Sequence, residues 1–173
     1  GQTGTIIVEE TPFYATMGGQ NADSGIITVG DNEFEVVDTK KTIDGIFTHY
    51  GKVINGEISV GDVVEVSINA YRRNAIKRNH TAAHLLQAAL RHVLGTHVEQ
   101  AGQLVNEKAV RFDFTHFSAL TAQELKDVED IVNSAILDAI EVKTEVLPIE
   151  EARQKGAMAL FGEKYGEFVR VVT

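Results

Sequence analysis

The 173-residue sequence contains no cysteine. The fold therefore holds no disulfide, and no thiolate from these residues can act as a nucleophile or bind zinc. No apolar run approaches the roughly 20 residues that a membrane-spanning helix needs, and the first residues carry no signal-peptide pattern. Together these absences predict a cytoplasmic protein without a membrane partner.

Positive charge is scarce and unevenly placed. The net charge is −9, and residues 1–70 hold three Lys or Arg against eleven Asp or Glu. This excess of acid argues against a general nucleic-acid binder, and no DNA partner is expected. Residues 66–98, in contrast, contain no acidic residue at all. A local basic patch in this window can still meet a polyanion.

Residues 1–70 have the pattern of β-structure with tight turns. Short β-branched runs at residues 5–8, 26–29, 34–37 and 63–66 alternate with glycine-containing turns. Strands this short and closely spaced predict a small β-barrel-like N-terminal subdomain over residues 1–70.

Beyond residue 70 the apolar period becomes helical. Over residues 74–94 one apolar stripe is formed by Ala75, Ala82, Leu85, Leu86, Ala89 and Val93, and Gly95 suits the C-terminal cap. A hairpin over 103–114 follows, and Thr121-Ala-Gln-Glu124 is a capping box that opens a helix to about residue 140. A strand at 142–147, a helix at 149–154, a turn at 162–166 and a strand at 168–172 complete the chain. The fold class is α+β, in which residues 71–173 form a sheet covered by two long helices.

His80 and His84 are four residues apart in the predicted helix, so their side chains project from one face. Two imidazoles at this spacing can bind one metal ion, although catalytic zinc takes three protein ligands and a water molecule. The alternative is a solvated face with two incidental histidines. On the helical wheel this face also carries Arg73, Lys77, Gln87 and Arg91, opposite the apolar stripe. Spacing does not choose a third ligand among His97, His116 and Asp113.

A glycine-rich segment at residues 11–25 contains Gly18, Gly19 and Gln20. Its ordinary interpretation is a connection between strands, in which the glycines supply positive φ. The functional alternative is a loop whose backbone amides and Gln20 lie against a ligand or phosphate.

Four ordered segments together resemble a known family. They are Pro-Phe-Tyr…Gly-Gly-Gln…Asp-x-Gly at residues 12–25, Arg-Asn-His-x-Ala-x-His-Leu-Leu at 78–86, Gln-x-Gly-x-Leu-Val at 100–105, and Arg-Phe-Asp-Phe-x-His-Phe at 111–117. Over essentially the whole chain they closely resemble the editing domain of alanyl-tRNA synthetase and the free-standing alanyl-tRNA editing proteins. The implied fold is like the editing domains of the threonyl- and alanyl-tRNA synthetases, and residues 71–173 would form the editing core.

The resemblance implies a hydrolase that cleaves the aminoacyl ester of tRNA(Ala) mischarged with serine or glycine. A site sized for alanine cannot reject glycine by size, nor serine strongly enough by one hydroxyl, so a second, hydrolytic sieve is needed. The parent enzyme would be alanine–tRNA ligase, which charges tRNA(Ala) using ATP bound in another domain.

The resemblance also assigns roles to residues. His80 and His84 correspond to two zinc ligands, Gln100 and Thr81 are the candidate catalytic residues, and Gly18, Gly19 and Gln20 form a loop near the pocket. The tRNA acceptor end would be bound by Arg72, Arg73, Lys77, Arg78 and Arg91.

Two departures from the family pattern matter. Ala83 stands where many members carry Thr, and whether Thr81 replaces that hydroxyl stays open. The family's other two zinc ligands come from a Cys-x-x-x-His motif that follows the strand equivalent to residues 168–172. The chain is therefore expected to be a truncated editing fragment with half a zinc site and impaired activity. Its parent would oligomerise through a C-terminal region.

Two alternatives remain. One is a free-standing trans-editing deacylase, although the Phe-Asp-Phe run favours the synthetase. The editing domain of threonyl-tRNA synthetase belongs to the same chemical class, but it should lack the Gly-Gly-Gln segment. The other is a non-catalytic RNA-binding module whose histidines face solvent.

Overall fold

The computed structural model describes residues 1–156 and 166–173, which divide into two compact units. Unit 1 comprises Gly1–Ala83 and Gly102–Phe112, and unit 2 comprises His84–Ala101 and Asp113–Thr173. These units do not coincide with the subdomains expected at 1–70 and 71–173, and that domain boundary stays a prediction. The turn expected at residues 162–166 lies, except for Gly166, outside the described residues.

Unit 1 is built on a five-stranded antiparallel sheet. Its strands are β1 (Thr3–Ile6), β2 (Gly25–Val29), β3 (Asn32–Lys41), β4 (Phe47–Asn55) and β5 (Glu65–Ile68), in the order β1-β4-β3-β2-β5. The pairing leaves β1 and β5 as the edges, so an open sheet replaces the barrel-like arrangement that was expected. Short β-branched runs predict strands, but they do not predict whether the two edge strands pair with each other and close a barrel.

Strand β4 is the one strand of this sheet that the sequence pattern does not predict. Its middle residue, Gly51, reads as a turn signal, yet it lies inside the strand, opposite Val36 and Gly4. A Cβ atom at Gly51 would lie 1.8 Å from the backbone oxygen of Glu35. This glycine therefore allows close approach of two strands and does not mark a turn.

The core of unit 1 lies on one face of this sheet. Phe34 and Val36 alternate along β3 and pack with Ile27 and Phe13, all at most 2% exposed. Full burial of a side chain of this size stabilises the fold by about 1.5–3 kcal/mol. The core thus fixes the register of β2 against β3, in which Ile27 faces Phe34.

Helix α1 (Ala70–Leu94) begins four residues before the predicted start. Asn69 caps it, because its Oδ1 accepts a hydrogen bond from the backbone N of Arg72 at 3.0 Å. Gly95 follows the helix with φ +115°, which confirms the predicted cap. Of the predicted apolar stripe, Ala89 is buried and the other five residues are partly buried, whereas the remaining buried residues of the helix are Ile76, Ala83, Gln87 and Leu90. A helix rich in alanine carries apolar residues on more than one side, so the packing, not the periodicity, selects the buried face.

Strands β6 (Gln100–Val105) and β7 (Val110–Phe114) form a two-stranded sheet, which confirms the predicted hairpin. The Asn106 side chain fixes its turn, since Oδ1 accepts hydrogen bonds from the backbone N of Lys108 at 2.8 Å and of Ala109 at 2.9 Å.

Helix α2 (Ala122–Leu137) opens with the predicted capping box. The Thr121 side chain accepts from the backbone N of Glu124 at 3.2 Å, and the backbone N of Thr121 donates to Glu124 Oε2 at 2.7 Å. The helix ends before the expected residue 140, at Asp138, and Ala139 adopts a positive φ of 49°.

The chain ends with β8 (Thr144–Pro148), α3 (Ile149–Gln154) and β9 (Phe168–Val172), and β8 pairs antiparallel with β9. The described strands beyond β5 form two separate two-stranded sheets, so the single sheet covered by two helices was a wrong expectation. Apolar alternation marks each strand but not its partner. The α+β class is confirmed. In the described ranges no helix has the length and apolarity to cross a membrane.

Candidate functional site

His80 is held by the glutamine of the Gly-Gly-Gln segment. His80 Nδ1 lies 2.6 Å from Gln20 Oε1, and both residues belong to unit 1. Gln20 is 8% exposed, so the contact is shielded from water. A carboxamide oxygen only accepts, so with Oε1 in this place Nδ1 carries the proton, and in the neutral imidazole the lone pair is then on Nε2. Metal-binding histidines commonly have this arrangement, in which the second ring nitrogen donates to a fixed oxygen.

The backbone around Gln20 forms a tight turn against strand β6. Gln20 N donates to Met17 O at 2.9 Å, and Val105 N donates to Gly19 O at 2.8 Å. Gly19 has φ +77°, and a Cβ atom there would lie 2.5 Å from the backbone oxygen of Gln103. The second glycine is therefore required by conformation and by space, which accounts for the Gly-Gly-Gln sequence without any ligand.

An ion pair between a buried carboxylate and a partly exposed guanidinium attaches the same segment to α1. Asp23, 2% exposed, accepts from Arg73 Nε at 2.8 Å and also from Arg73 Nη2, and it accepts from the backbone N of Tyr14 at 2.7 Å. Arg73 Nη2 also donates to the backbone oxygen of Pro12 at 2.9 Å. The hydrogen bond to Asp23 raises the pKa of Arg73 above its ordinary value, so the guanidinium stays charged.

Arg72 reinforces this attachment. Its Nη1 donates to the backbone oxygen of Ala22 at 2.6 Å, and its Nε lies 3.3 Å from Glu107 Oε2. Two of the five cations expected to bind tRNA thus hold the loop. Arg91 is also engaged, because its Nη1 donates to the backbone oxygen of Val98 at 2.8 Å. Lys77 and Arg78 are exposed, and neither has an ion-pair partner within the described part of the chain.

Gln100, in unit 2, contains an orphaned donor. Its Nε2 is buried and has no hydrogen-bond partner among the residues that the structure describes. His84, also in unit 2, is exposed on α1. Leaving a buried N–H without an acceptor costs about 1–3 kcal/mol, so this group is a candidate for binding an oxygen atom of a ligand.

Thr81 and Ala83 differ in environment. Thr81 is exposed, whereas Ala83 is 2% exposed. Residues two apart on a helix point about 200° apart. The Thr81 hydroxyl therefore does not occupy the place that a threonine at position 83 would take.

The proposed third metal ligands are not brought together with the first two. Across residues 1–156 and 166–173, no three His, Cys, Asp or Glu side chains are placed to hold a metal. His97 Nε2 lies instead 3.0 Å from His116 Nδ1, and the His97 ring stacks on Phe117 at a centroid distance of 4.6 Å. The described residues therefore contain no complete zinc site, and the assignment of His80 and His84 as zinc ligands stays a prediction.

A cavity of about 420 Å³ in unit 1 contains none of the predicted site residues. It is lined by residues of β2, β3 and β5, including Ile26, Val36 and Ile68. Its size alone does not make it a candidate site.

Two residues that hold the site together carried no assigned role in the sequence interpretation. Asp23 was visible only as part of the Asp-x-Gly motif, and Asn79 only as the middle of Arg-Asn-His. Asn79 Nδ2 donates to the backbone oxygen of Asn106 at 2.7 Å, which ties α1 to the hairpin turn. The signal for Asp23 was an acidic residue between two small ones next to a glycine-rich turn.

Comparison with known proteins gives consistent matches. Residues 1–72 match a family model described as class II (A) tRNA synthetases. The whole chain is 58% identical to alanine–tRNA ligase 1 of Lachnoclostridium phytofermentans and 53% identical to alanine–tRNA ligase of Pseudomonas syringae pv. syringae. A further alanine–tRNA ligase, from Acetivibrio thermocellus, is 52% identical over 99% of the chain. The chain spans 20% of the length of each of these relatives.

Proposed function

Because the whole chain is similar to alanine–tRNA ligases, we propose that it forms an editing region of such a ligase. It hydrolyses the aminoacyl ester of tRNA(Ala) mischarged with serine or glycine. The full-length protein charges tRNA(Ala) with alanine using ATP, in the cytoplasm, and the region described here meets the acceptor end of the tRNA. The finding that supports the family is identity of more than 50% over the whole chain.

The single structural observation that supports hydrolysis is the buried Nε2 of Gln100. The ester carbonyl of a mischarged tRNA, or the hydroxyl of serine, supplies the acceptor that this donor lacks. When the carbonyl is attacked by water, negative charge develops on its oxygen. A preoriented, desolvated donor stabilises that charge more than it stabilises the ground state.

Zinc is the proposed cofactor, with His80 and His84 on α1 as two of its ligands. When bound, such an ion polarises the ester or the attacking water. The remaining ligands come from the Cys-x-x-x-His motif that is typical of the family. The chain's own contribution is to hold the imidazole of His80 in the tautomer that presents Nε2, through the contact with Gln20.

The test compares hydrolysis of Ser-tRNA(Ala), Gly-tRNA(Ala) and Ala-tRNA(Ala) by a full-length ligase that contains this sequence. We expect the seryl and glycyl esters to be hydrolysed and the alanyl ester to be spared. Gln100→Met should lower the rate by about 100-fold, in the range found for loss of one such donor. Gln123→Met, which changes an exposed glutamine on α2, is the control and should leave the rate unchanged.

Gln100→Met should also raise the midpoint of thermal unfolding, because it removes a buried donor without a partner. A slower but more stable enzyme supports the proposal. Equal hydrolysis by the Gln100 variant and the wild type would contradict the role of Gln100. Binding of tRNA without hydrolysis of any of the three esters would favour the non-catalytic RNA-binding module.

A further inference from the structure

The geometry points to Gln20 as a positioning residue that selects the tautomer of His80 and fixes the orientation of its ring. The consequence for zinc binding rests on the proposed function, whereas the selection of the tautomer rests on the contacts of unit 1 alone. The Gly-Gly-Gln segment thereby acts on α1 through one side chain, and not by offering backbone amides to a ligand.

The contact is short, shielded and directional. Oε1 of Gln20 lies 2.6 Å from Nδ1 of His80, slightly shorter than the usual N–H···O distance of about 2.7–3.2 Å, and Gln20 is 8% exposed. An oxygen at this position requires a proton on Nδ1, whereas an amide nitrogen would require it on Nε2. The identity of the atom that Gln20 presents therefore decides which ring nitrogen of His80 keeps a lone pair.

The backbone of Gln20 is held on both sides, so its side chain starts from a fixed point. Met17 and Gln20 exchange backbone hydrogen bonds of 2.9 and 3.3 Å. The next residue, Asn21, donates its backbone N to Val105 O at 2.9 Å. Gly19 closes the turn at φ +77°, a conformation that side-chain-bearing residues rarely adopt.

The segment reaches α1 at two points on one helical face. Arg73 binds Asp23 and His80 binds Gln20, and Arg73 and His80 are seven residues apart, or about two turns. Asp23 and Gln20 are separated by only two residues in the loop. This double attachment prevents the loop from sliding along the helix and keeps the amide of Gln20 beside the imidazole. Asp23 therefore contributes to the position of His80 although it does not contact it.

The direct test measures the tautomer of His80 in the full 173-residue chain labelled with ¹⁵N. Long-range ¹H–¹⁵N correlation spectra distinguish the two neutral tautomers, and His80→Gln assigns the signals. In the wild type we expect the form protonated on Nδ1 to predominate. Gln20→Met, which keeps the length but removes the acceptor, should shift the population several-fold towards the form protonated on Nε2.

Three further variants make the test specific. Gln20→Glu keeps an acceptor oxygen, so at a pH where the imidazole of this variant is neutral the form protonated on Nδ1 should again predominate. Gln103→Met removes a glutamine side chain that donates to the backbone oxygen of Gly18 at 2.8 Å, so it disturbs the same loop without touching His80. It should leave the tautomer unchanged. If Gln20→Met does not fold, Gln20→Asn provides the same comparison, because the shorter side chain keeps its acceptor oxygen further from His80 by the length of one carbon.

A second readout follows the consequence for metal binding. Zinc affinity of a full-length ligase that contains this sequence, measured by competition with a chromophoric chelator, should fall about 10- to 100-fold in Gln20→Met and remain near wild type in Gln103→Met. An unchanged tautomer in Gln20→Met, or a wild type protonated on Nε2, overturns the inference. A shifted tautomer together with a zinc affinity that is indifferent to His80→Ala upholds the positioning by Gln20 and overturns the zinc part of the proposed function.

Discussion

At the scale of single residues, His49 shows how burial sets the charge of a side chain. It is 0% exposed, its Nδ1 lies 3.1 Å from the backbone oxygen of Ile6, and its Nε2 lies 2.8 Å from Thr11 Oγ1. Burial lowers the pKa of His49 below its ordinary value of 6.5 and outweighs the hydrogen bond to Ile6, which raises it. The imidazole is therefore neutral in the folded protein.

The pH dependence of stability follows from this direction. Below pH 6.5, His49 takes up a proton in the unfolded chain but stays neutral in the folded chain. The free energy of unfolding therefore falls as the pH falls from 6.5 towards the pKa of His49 in the folded chain. Above pH 6.5, His49 is neutral in both states and no longer changes the free energy of unfolding with pH. Urea unfolding between about pH 7.5 and pH 5.5 should show a slope from this group of at most about 1.4 kcal/mol per pH unit.

His49→Gln should remove this slope, since glutamine does not titrate. Thr11→Val is the matched control: it removes one hydrogen-bond partner, lowers stability, and keeps the titrating imidazole, so the slope should persist. An identical slope in the wild type and in His49→Gln would show that other groups produce it.

Asp23 should be the most sensitive acidic residue of unit 1. Asp23→Asn leaves the Arg73 guanidinium facing a neutral amide in a largely buried place, and we expect a loss of about 2–4 kcal/mol in the free energy of unfolding. Glu35→Gln is the control, because the ion pair of Glu35 with Lys52 at 3.1 Å is about half exposed and should contribute less than about 1 kcal/mol. Similar losses in both variants would contradict the role assigned to the buried pair.

At the scale of secondary-structure elements, local signals were the reliable ones. The capping box at Thr121, helix α3 and strand β9 were all predicted from the sequence, and the structure has them in place. Each is decided by residues within a few positions of one another. Strand β4 was not predicted. Its Gly51 lies against the backbone of Glu35 on another strand, and this contact is not visible in the local sequence.

The end of α2 offers a prediction at this scale. Ala139 adopts φ 49° just beyond the helix, where a side chain costs about 1–2 kcal/mol and glycine is the usual residue. Ala139→Gly should therefore stabilise the protein by about 0.5–1 kcal/mol, because part of this gain is offset by the entropy of glycine.

Thermal unfolding of two variants tests this point. Ala135→Gly, inside α2, should destabilise by about 1 kcal/mol, whereas Ala139→Gly raises the unfolding midpoint. Opposite signs for the same substitution four residues apart would follow from backbone conformation alone. A lower midpoint in both variants would contradict the left-handed conformation of Ala139.

At the scale of the whole molecule, the proposed binding of tRNA by a chain of net charge −9 requires a local basic patch. Of the five cations expected there, Lys77 and Arg78 are exposed and without ion-pair partners in the described ranges, whereas Arg72, Arg73 and Arg91 hold backbone oxygens or carboxylates. Lys77→Gln with Arg78→Gln should therefore weaken tRNA binding.

The salt dependence of binding measures this effect. In a plot of log affinity against log salt concentration, the slope should become shallower by about 1 for each lost cation. Lys126→Gln, on α2, is the control and should not alter the slope. A slope unchanged by the double substitution would exclude these two residues from the contact with phosphate.

The sequence predicted residue types for a candidate site, and it did not predict the contacts that the structure places among them. The spacing of His80 and His84 indicated a metal pair, and the Gly-Gly-Gln segment indicated a special loop. That Gln20 reaches His80 depends on a contact between residues 60 positions apart, which no local pattern encodes. The orphaned donor of Gln100 is likewise a property of packing, because burial decides whether a polar group finds water.

The two outermost strands of the large sheet, β1 and β5, are each four residues long. A strand from a neighbouring molecule could form only a few backbone hydrogen bonds with either of these edge strands. Fibre growth by recruitment of strands at these two edges is therefore disfavoured by their shortness alone.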